Sequence, residues 1–405
     1  MTGPHSGELN LLYTPPMTVF DRREDELLVC LVRPALDAAR VRQLVQTELD
    51  WEYLAAMADR HSLIPFLYFR LSSILPEAVP AQPLSRLRSR NQENTRQSLS
   101  LTGELLNLLQ LLEAAGIRAV PFKGPTLALA AYGDVALREF GDLDILVHKQ
   151  DVLKVNELLA ALGFKPTPEL SSAQEAALLR FDCACNFGND KNVLFDVHWN
   201  FAASYSSLEL DVDSMWERLE QITVAGKQLP TLSAEDLLLV LCLHGFTHHW
   251  ERLGWVCDVA GLIDRRKDIN WQQVFDSASR QGCRRILSLG ITLASELLEA
   301  PVPADVMQSA QRDRVVTKLA GEVRKQLFAP KPSASGILDE ALLQLRMRER
   351  RRDKLMSGVR LAATPRVYDW TLVSLPRWLL FLYYPLRPLR LAGKYGARLL
   401  GSPNQ

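Results

Sequence analysis

The sequence predicts an α+β fold: a small mixed β-sheet core flanked by N-terminal and C-terminal α-helical regions. Three observations carry that expectation. Apolar residues recur at helical spacing from Glu24 to about Ala115, and again from Ser233 onward. Between them, from Gly116, short β-rich runs alternate with glycine turns and helix-compatible stretches. Two carboxylates at i and i+2, Asp142 and Asp144, open the most apolar of those runs, Ile145-Leu146-Val147.

Composition bounds the function. At 405 residues, with 47% hydrophobic and 23% charged residues, the chain is globular and long enough for roughly two or three domains. Lys plus Arg and Asp plus Glu both total 47, so the net charge is zero. No global field attracts nucleic acid, which is not an expected specific partner, and any phosphate site has to be local. Met1–Asn10 lacks the basic start and apolar middle of a signal peptide. No stretch reaches the roughly 18 apolar residues of a membrane span, so a cytoplasmic location is expected. Cys30, Cys183, Cys185, Cys242, Cys257 and Cys283 form no C-x-x-C pair and are expected as reduced core residues.

Taken in order, residues 1–20 hold Pro4, Pro15 and Pro16 without a period, an irregular lead-in. Residues 21–115 form the N-terminal helical region, from Glu26–Val32 through Trp51–Met57 to Leu101–Leu112. Arg86, Arg88, Arg90 and Arg96 within it are expected on a solvated helix face. Residues 116–230 form the sheet-bearing core. Ile117–Phe122 is β-rich, and Lys123-Gly124-Pro125-Thr126 then turns into the helix-compatible Leu127–Tyr132. Pro125 suits a first helical position and Gly124 permits a tight turn and close approach to a ligand. A strand, glycine turn and helix in succession present helix N-terminal N–H groups to an anion.

The run that Asp142 opens comes next, then an amphipathic helix over Asp151–Leu162 that stops at Gly163. Arg180–Phe187 and Val193–Trp199, around Gly188–Asn192, read as a β-hairpin. In its second arm Asp196 and His198 share a face opposite Phe195 and Val197. Residues 231–330 return to helix, with Ser233 as N-cap. His244 and His248, at i and i+4, are expected to pack with Trp250 and Trp255 in place of binding zinc, since no H-E-x-x-H pattern is present. Residues 331–405 comprise a linker and a basic, aromatic C-terminal segment; the linker reading covers Pro330–Gly336 and precedes a basic run, Arg346–Lys354. From Trp370 on there is no Asp or Glu. Trp378–Tyr384 precedes Arg387, Arg390, Lys394 and Arg398, a pattern that suits peripheral membrane contact and a docked C-terminal helix equally.

The chemistry centres on the aspartates. Side chains at i and i+2 of a strand share a face, so Asp142 and Asp144 reach one point, where a hard divalent cation would relieve their repulsion. An isolated D-x-D is also what a solvated strand end looks like. Here, however, the pair follows a strand–glycine–helix unit, and Asp196 lies on a later strand that would pair beside it.

These features resemble the nucleotidyltransferase superfamily of the DNA polymerase beta type. The fuller string KGPTLALAAYGD…GDLDILV, with DVHWN and LHGFTHHW…RLGWVCDVAGL, resembles the bacterial uncharacterised nucleotidyltransferase family from about Trp51 to Pro303. The resemblance implies a nucleotidyltransferase core at residues 116–230, with Asp142, Asp144 and Asp196 as catalytic and metal-binding carboxylates for Mg²⁺ or Mn²⁺ and an NTP as donor. Lys123 and Gly124 match its phosphate-facing turn, with Thr126 adjacent. Lys123 or Arg138 would supply positive charge near the phosphates, and His198 would support the metal site or act as an alternative base. A surface ion pair of Arg138 with Glu139 or Asp134 is the competing expectation. Pro125 stands where the superfamily has Gly or Ser, which motivates a second reading as an inactive nucleotide-binding or protein-interaction platform. The acceptor is a small molecule, peptide or protein, and neither it nor the oligomeric state follows from the sequence.

Overall fold

The computed structural model describes residues 20–74, 77, 79–206, 208, 210–329, 337–349, 351–373 and 375–399. The lead-in expected up to residue 19 and the linker at Pro330–Gly336 lie outside the described residues. Five helices open the chain: Arg23–Val32, Ala38–Val45, Trp51–Arg60, Ile64–Ile74 and the long Ala81–Ala114. Asp37 and Asp50 start two of them by accepting from the backbone N–H of Arg40 and Tyr53, which satisfies donors that the first helical turn leaves free. Leu101, Leu105, Leu108 and Leu112 line one buried stripe of the long helix and join the sheet's core.

The sheet contains β1 (Ala119–Pro121), β2 (Asp142–Val147), β3 (Lys165–Pro166), β4 (Ala184–Gly188) and β5 (Leu194–His198), in the order β1-β2-β5-β4-β3. β2 and β5 run parallel, while β1–β2, β4–β5 and β3–β4 are antiparallel, so the sheet is mixed as expected. Alternation along β2 divides its side chains between two cores. Leu143, Ile145 and Val147 enter one shared with the end of the long helix and the helix Val152–Ala161. Leu146 enters the other, built on the N-terminal helices and the C-terminal helices Ala234–Thr247, Leu253–Arg265 and Arg284–Leu298. Asp142 and Asp144 share the parity of Leu146 and so face the helical layer.

Two local differences from the sequence reading have clear causes. The first hairpin arm does not begin at Arg180. Ser171 and Gln174 form a reciprocal capping box that starts the helix Ser172–Phe181, and β4 begins only at Ala184. A second hairpin, β6 (Glu220–Val224) and β7 (Lys227–Thr231), was not anticipated. Its two-residue turn has Ala225 at φ 47° and Gly226 at φ 80°, the left-handed pair that matches strand twist. The Thr231 hydroxyl donates to the Pro121 carbonyl at 3.3 Å, tying this hairpin to β1.

The C-terminal segment docks. Trp370, Leu380 and Tyr383 are buried in the core that holds Phe181, Phe187 and Phe195, and the Gln174 amide donates to the Trp370 carbonyl at 3.3 Å. No helix among the described residues is long and apolar enough to cross a membrane.

Candidate active site

The glycine turn places the first cation. Lys123 is the N-cap of the helix Gly124–Tyr132, with Pro125 in its first turn. Gly124 has φ +57°, a left-handed conformation that side chains other than glycine's strain to adopt, and a Cβ there would sit 3.4 Å from Leu143 Cδ2. The chain therefore leaves β1 close against β2, and Lys123 turns back onto it. Its Nζ lies 2.8 Å from Asp144 Oδ1. The Thr126 hydroxyl is buried and donates to the Lys123 carbonyl at 2.8 Å, so it closes the turn.

The parallel register sets the carboxylates. Asp144 is directly opposite Asp196, and Leu146 opposite His198, so Asp144, Asp196 and His198 converge on one face. One donor atom from each lies within 4.8 Å of the others, a set that suits a metal ion. Asp142 stands outside that set, exposed at the start of β2. Asp144 is 2% exposed. Its Oδ1 accepts from Lys123 and, at 3.2 Å, from His198 Nε2; an ionised carboxylate only accepts, so Nε2 carries the proton. Its Oδ2 is buried without a protein partner. Burial alone would raise the Asp144 pKa, but the Lys123 ammonium, joined by the His198 hydrogen bond, holds it far below the usual carboxylate range.

Asp196 moves the other way. Burial, then the charges of Asp144 and Asp142, push it up to about 6. Asn186 donates to its Oδ1 at 2.7 Å, and Phe122 meets the His198 ring edge-on at 5.1 Å between centroids. A bare oxygen on a buried carboxylate is expensive to leave unsatisfied. Here it stands beside a second carboxylate, and two carboxylates so placed are the hard oxygen donors that a divalent cation such as Mg²⁺ or Mn²⁺ takes.

These groups open onto a cleft of about 590 Å³ between the sheet, the N-terminal helices and the C-terminal helices. Lys123, Arg138, Asp142, Asp144, Asp196 and His198 all line it, whereas Gly124 and Thr126 do not. Compared with known proteins, residues 47–299 match the family described as "Uncharacterised nucleotidyltransferase". The chain belongs to that family. Among curated proteins none matches. Among solved structures, the lincosamide antibiotic adenylyltransferase LnuA in its lincomycin-bound form is 18% identical, aligned over 40% of this chain and 96% of that one, with a TM-score of 0.28.

In this nucleotidyltransferase the remaining cleft wall comes from parts of the chain distant in sequence. Arg138 pairs with neither Glu139 nor Asp134. Its guanidinium grips Asp258 on the helix Leu253–Arg265, Nε to Oδ1 at 3.0 Å and Nη2 to Oδ2 at 3.1 Å, while the Tyr132 hydroxyl donates to the same carboxylate at 2.7 Å. Burial would lower the Arg138 pKa, but Asp258 more than offsets it and holds the guanidinium charged. His244 and His248 lie 4.6 Å apart against Trp255. Burial, then the Lys123 charge, pulls both imidazoles below their ordinary pKa, so they are neutral aromatic wall. Sequence reasoning missed Ser62, Glu139, Arg252 and Asp258 as cleft residues. No local pattern announces them, because only tertiary packing brings them to β2.

Proposed function

We propose that the protein transfers a nucleoside monophosphate from an NTP to a hydroxyl of a small-molecule, peptide or protein acceptor. The observation that carries this reading is the bare, buried Asp144 Oδ2 beside Asp196 and His198, on the face that looks into the cleft. Asp144 and Asp196, with His198 beside them and Asp142 at the mouth, would hold a divalent cation. When bound, that ion supplies Lewis-acid stabilisation of charge on the donor phosphates.

The chain's own groups supply the rest. Lys123, fixed on Asp144, presents a cation beside the reacting phosphate, and Arg138 keeps its charge within the same cleft. The acceptor oxygen bonds to the α-phosphorus, the bond from that phosphorus to pyrophosphate breaks, and Asp196 takes the hydroxyl proton. Its place opposite Asp144 on the cleft-facing side of β5 puts the carboxylate within the site where that hydroxyl would bind.

The test is pyrophosphate release from each NTP with Mg²⁺ across a panel of hydroxyl acceptors. Release that depends on Asp196 supports transfer. A second reading, a nucleotide-binding platform without turnover, draws on the Thr126 hydroxyl being occupied by the Lys123 carbonyl, and on Pro125 standing next to Gly124. Saturable NTP binding with no pyrophosphate from any acceptor would select it.

A further inference from the structure

A groove of about 540 Å³ adjoins the cleft, between the long helix Ala81–Ala114 and the loop at residues 139–141. Ser62, Glu139, Phe140, Gly141 and Arg252 line both cavities, so the two communicate across that wall. Among the described residues the Lys and Arg side chains of the cleft are Lys123, Arg138 and Arg252. Carboxylates already occupy the first two, Asp144 at 2.8 Å from Lys123 and Asp258 at 3.0 Å from Arg138. Arg252 makes no ion pair among the described residues. Its Nη1 donates to the Ser62 hydroxyl at 3.4 Å, longer than a good N–H···O hydrogen bond, and its guanidinium carbon lies 5.7 Å from the centre of the Trp255 ring. The Ser62 hydroxyl has no acceptor for its own proton among the described residues. A guanidinium without a counter-ion beside an unused hydroxyl donor is what an oxyanion takes up.

The backbone fixes this pair in place. Arg252 is the N-cap residue of the helix Leu253–Arg265, and the buried His61 accepts the N–H groups of Leu253 and Gly254. A Cβ at Gly254 would lie 2.7 Å from the His61 carbonyl oxygen, so the segments that carry Ser62 and Arg252 touch backbone to backbone. Just before Arg252, His249 and Trp250 both adopt left-handed backbone, at φ 55° and 53°, and the Trp250 ring is buried beneath that turn. Side-chain-bearing residues keep such conformations only where their surroundings enforce them, which recurs at ligand sites.

We propose that Arg252 and Ser62 bind a phosphoryl group at the junction of the two cavities. The guanidinium fork takes two of its oxygens and the Ser62 hydroxyl donates to a third. Glu139, Asp142, Asp144, Asp196, Glu251 and Asp258 line the same cleft, so a phosphate enters only where a metal ion or an unspent cation offsets them. The group is the terminal phosphate of the donor NTP, or a phosphate on an acceptor that lies in the groove. Its role rests on the nucleotide-transfer reading, whereas its binding does not.

The full chain and its Arg252→Gln variant are titrated calorimetrically with each NTP and each NMP in Mg²⁺. Inorganic phosphate is followed by phosphorus NMR line width, with and without a saturating nonhydrolysable NTP. The variant breaks no described ion pair and should keep the parent's circular dichroism. If the site holds the donor's phosphate, Arg252→Gln weakens NTP binding about tenfold or more, leaves NMP binding unchanged, and the NTP analogue displaces inorganic phosphate. If it holds the acceptor's, NTP affinity is unchanged, and inorganic phosphate binds alongside the analogue in the parent but not in the variant. Equal binding of both NTP and inorganic phosphate by parent and variant overturns the proposal, as does a parent that binds neither. A parent that binds inorganic phosphate through Arg252 but no NTP defeats the nucleotide-transfer reading and leaves the phosphoryl site standing.

Discussion

Asp144 uses one oxygen for both Lys123 and His198 and keeps the other buried without a partner. Replacing it with Asn removes the counter-ion of a nearly buried ammonium, and breaking such pairs costs on the order of 3 kcal/mol. Asp144→Asn should therefore lower the denaturation midpoint in EDTA, and with Mg²⁺ should cut pyrophosphate release by at least ~10²-fold. Asp196→Asn should act on stability in the opposite direction. The folded Asp196 pKa lies near 6 against an ordinary 3.8, so between those values the folded chain holds a proton that the unfolded chain has released. The stability from that proton is present below pH 4 and lost as pH rises through 6. In EDTA at pH 8 Asp196→Asn should thus melt higher than the parent, and the two should converge near pH 4. A lower melting point for both variants at pH 8 would contradict this division of roles. The shared face of Asp142 and Asp144 was legible because strand alternation dictates it, whereas the meeting of Asp144 with Asp196 depends on the β2–β5 register, and Asp142 stands outside the set that converges. Arg138's partner was not: Asp258 lies 120 residues away, and such a pair leaves no local trace.

The strand–glycine–helix unit depends on the left-handed Gly124. Gly124→Ala should destabilise the protein by about 1–2 kcal/mol, measured by denaturant titration. It should also reduce NTP affinity by shifting Lys123 away from Asp144. A second junction joins the N-terminal helices to the helix Leu253–Arg265. The Leu253 N–H donates to His61 Nδ1 at 3.1 Å and the Gly254 N–H donates to the His61 carbonyl at 3.2 Å. Burial, and then the Arg60 charge, lowers the His61 pKa from 6.5 to about 4. A depressed imidazole favours folding above 6.5 and loses that contribution as pH falls from 6.5 toward 4. Between pH 7 and pH 5 the His61 contribution is lost while raised carboxylates such as Asp196 act in the opposite sense, so the parent should lose unfolding free energy relative to His61→Asn over that window; a difference between the two that does not change with pH would exclude this role for His61. At this scale the β4–β5 pairing was legible from alternation around a Gly/Asn/Asp loop. The start of β4 was obscured because Arg180 and Phe181 complete a helix whose signal lay upstream, in Ser171 and Gln174. The β6–β7 hairpin escaped because its turn uses Ala225 where Asn or Asp usually marks the position.

At the scale of the whole molecule, the sheet supplies one wall of the cleft and two helical regions, separated in sequence by that sheet, supply the others. The α+β class was visible in periodicity, because helical spacing frames the short strands. The cleft was not, since Ser62, Asp144 and Asp258 meet only through tertiary packing. The tail illustrates the same limit: its composition fitted a docked helix and an interfacial one equally, and packing assigns Trp370 to the interior and Trp378 to the surface. Trp370→Ala should cost about 3–5 kcal/mol and expose the C-terminal segment to limited proteolysis, whereas Trp378→Ser should do neither. Isothermal titration of the full chain with each NTP, with and without Mg²⁺, tests for a metal-dependent nucleotide site on the β2–β5 face. Saturable binding that requires Mg²⁺ and is lost in Asp144→Asn is expected. Absence of binding, or binding indifferent to both the metal and that substitution, would contradict it.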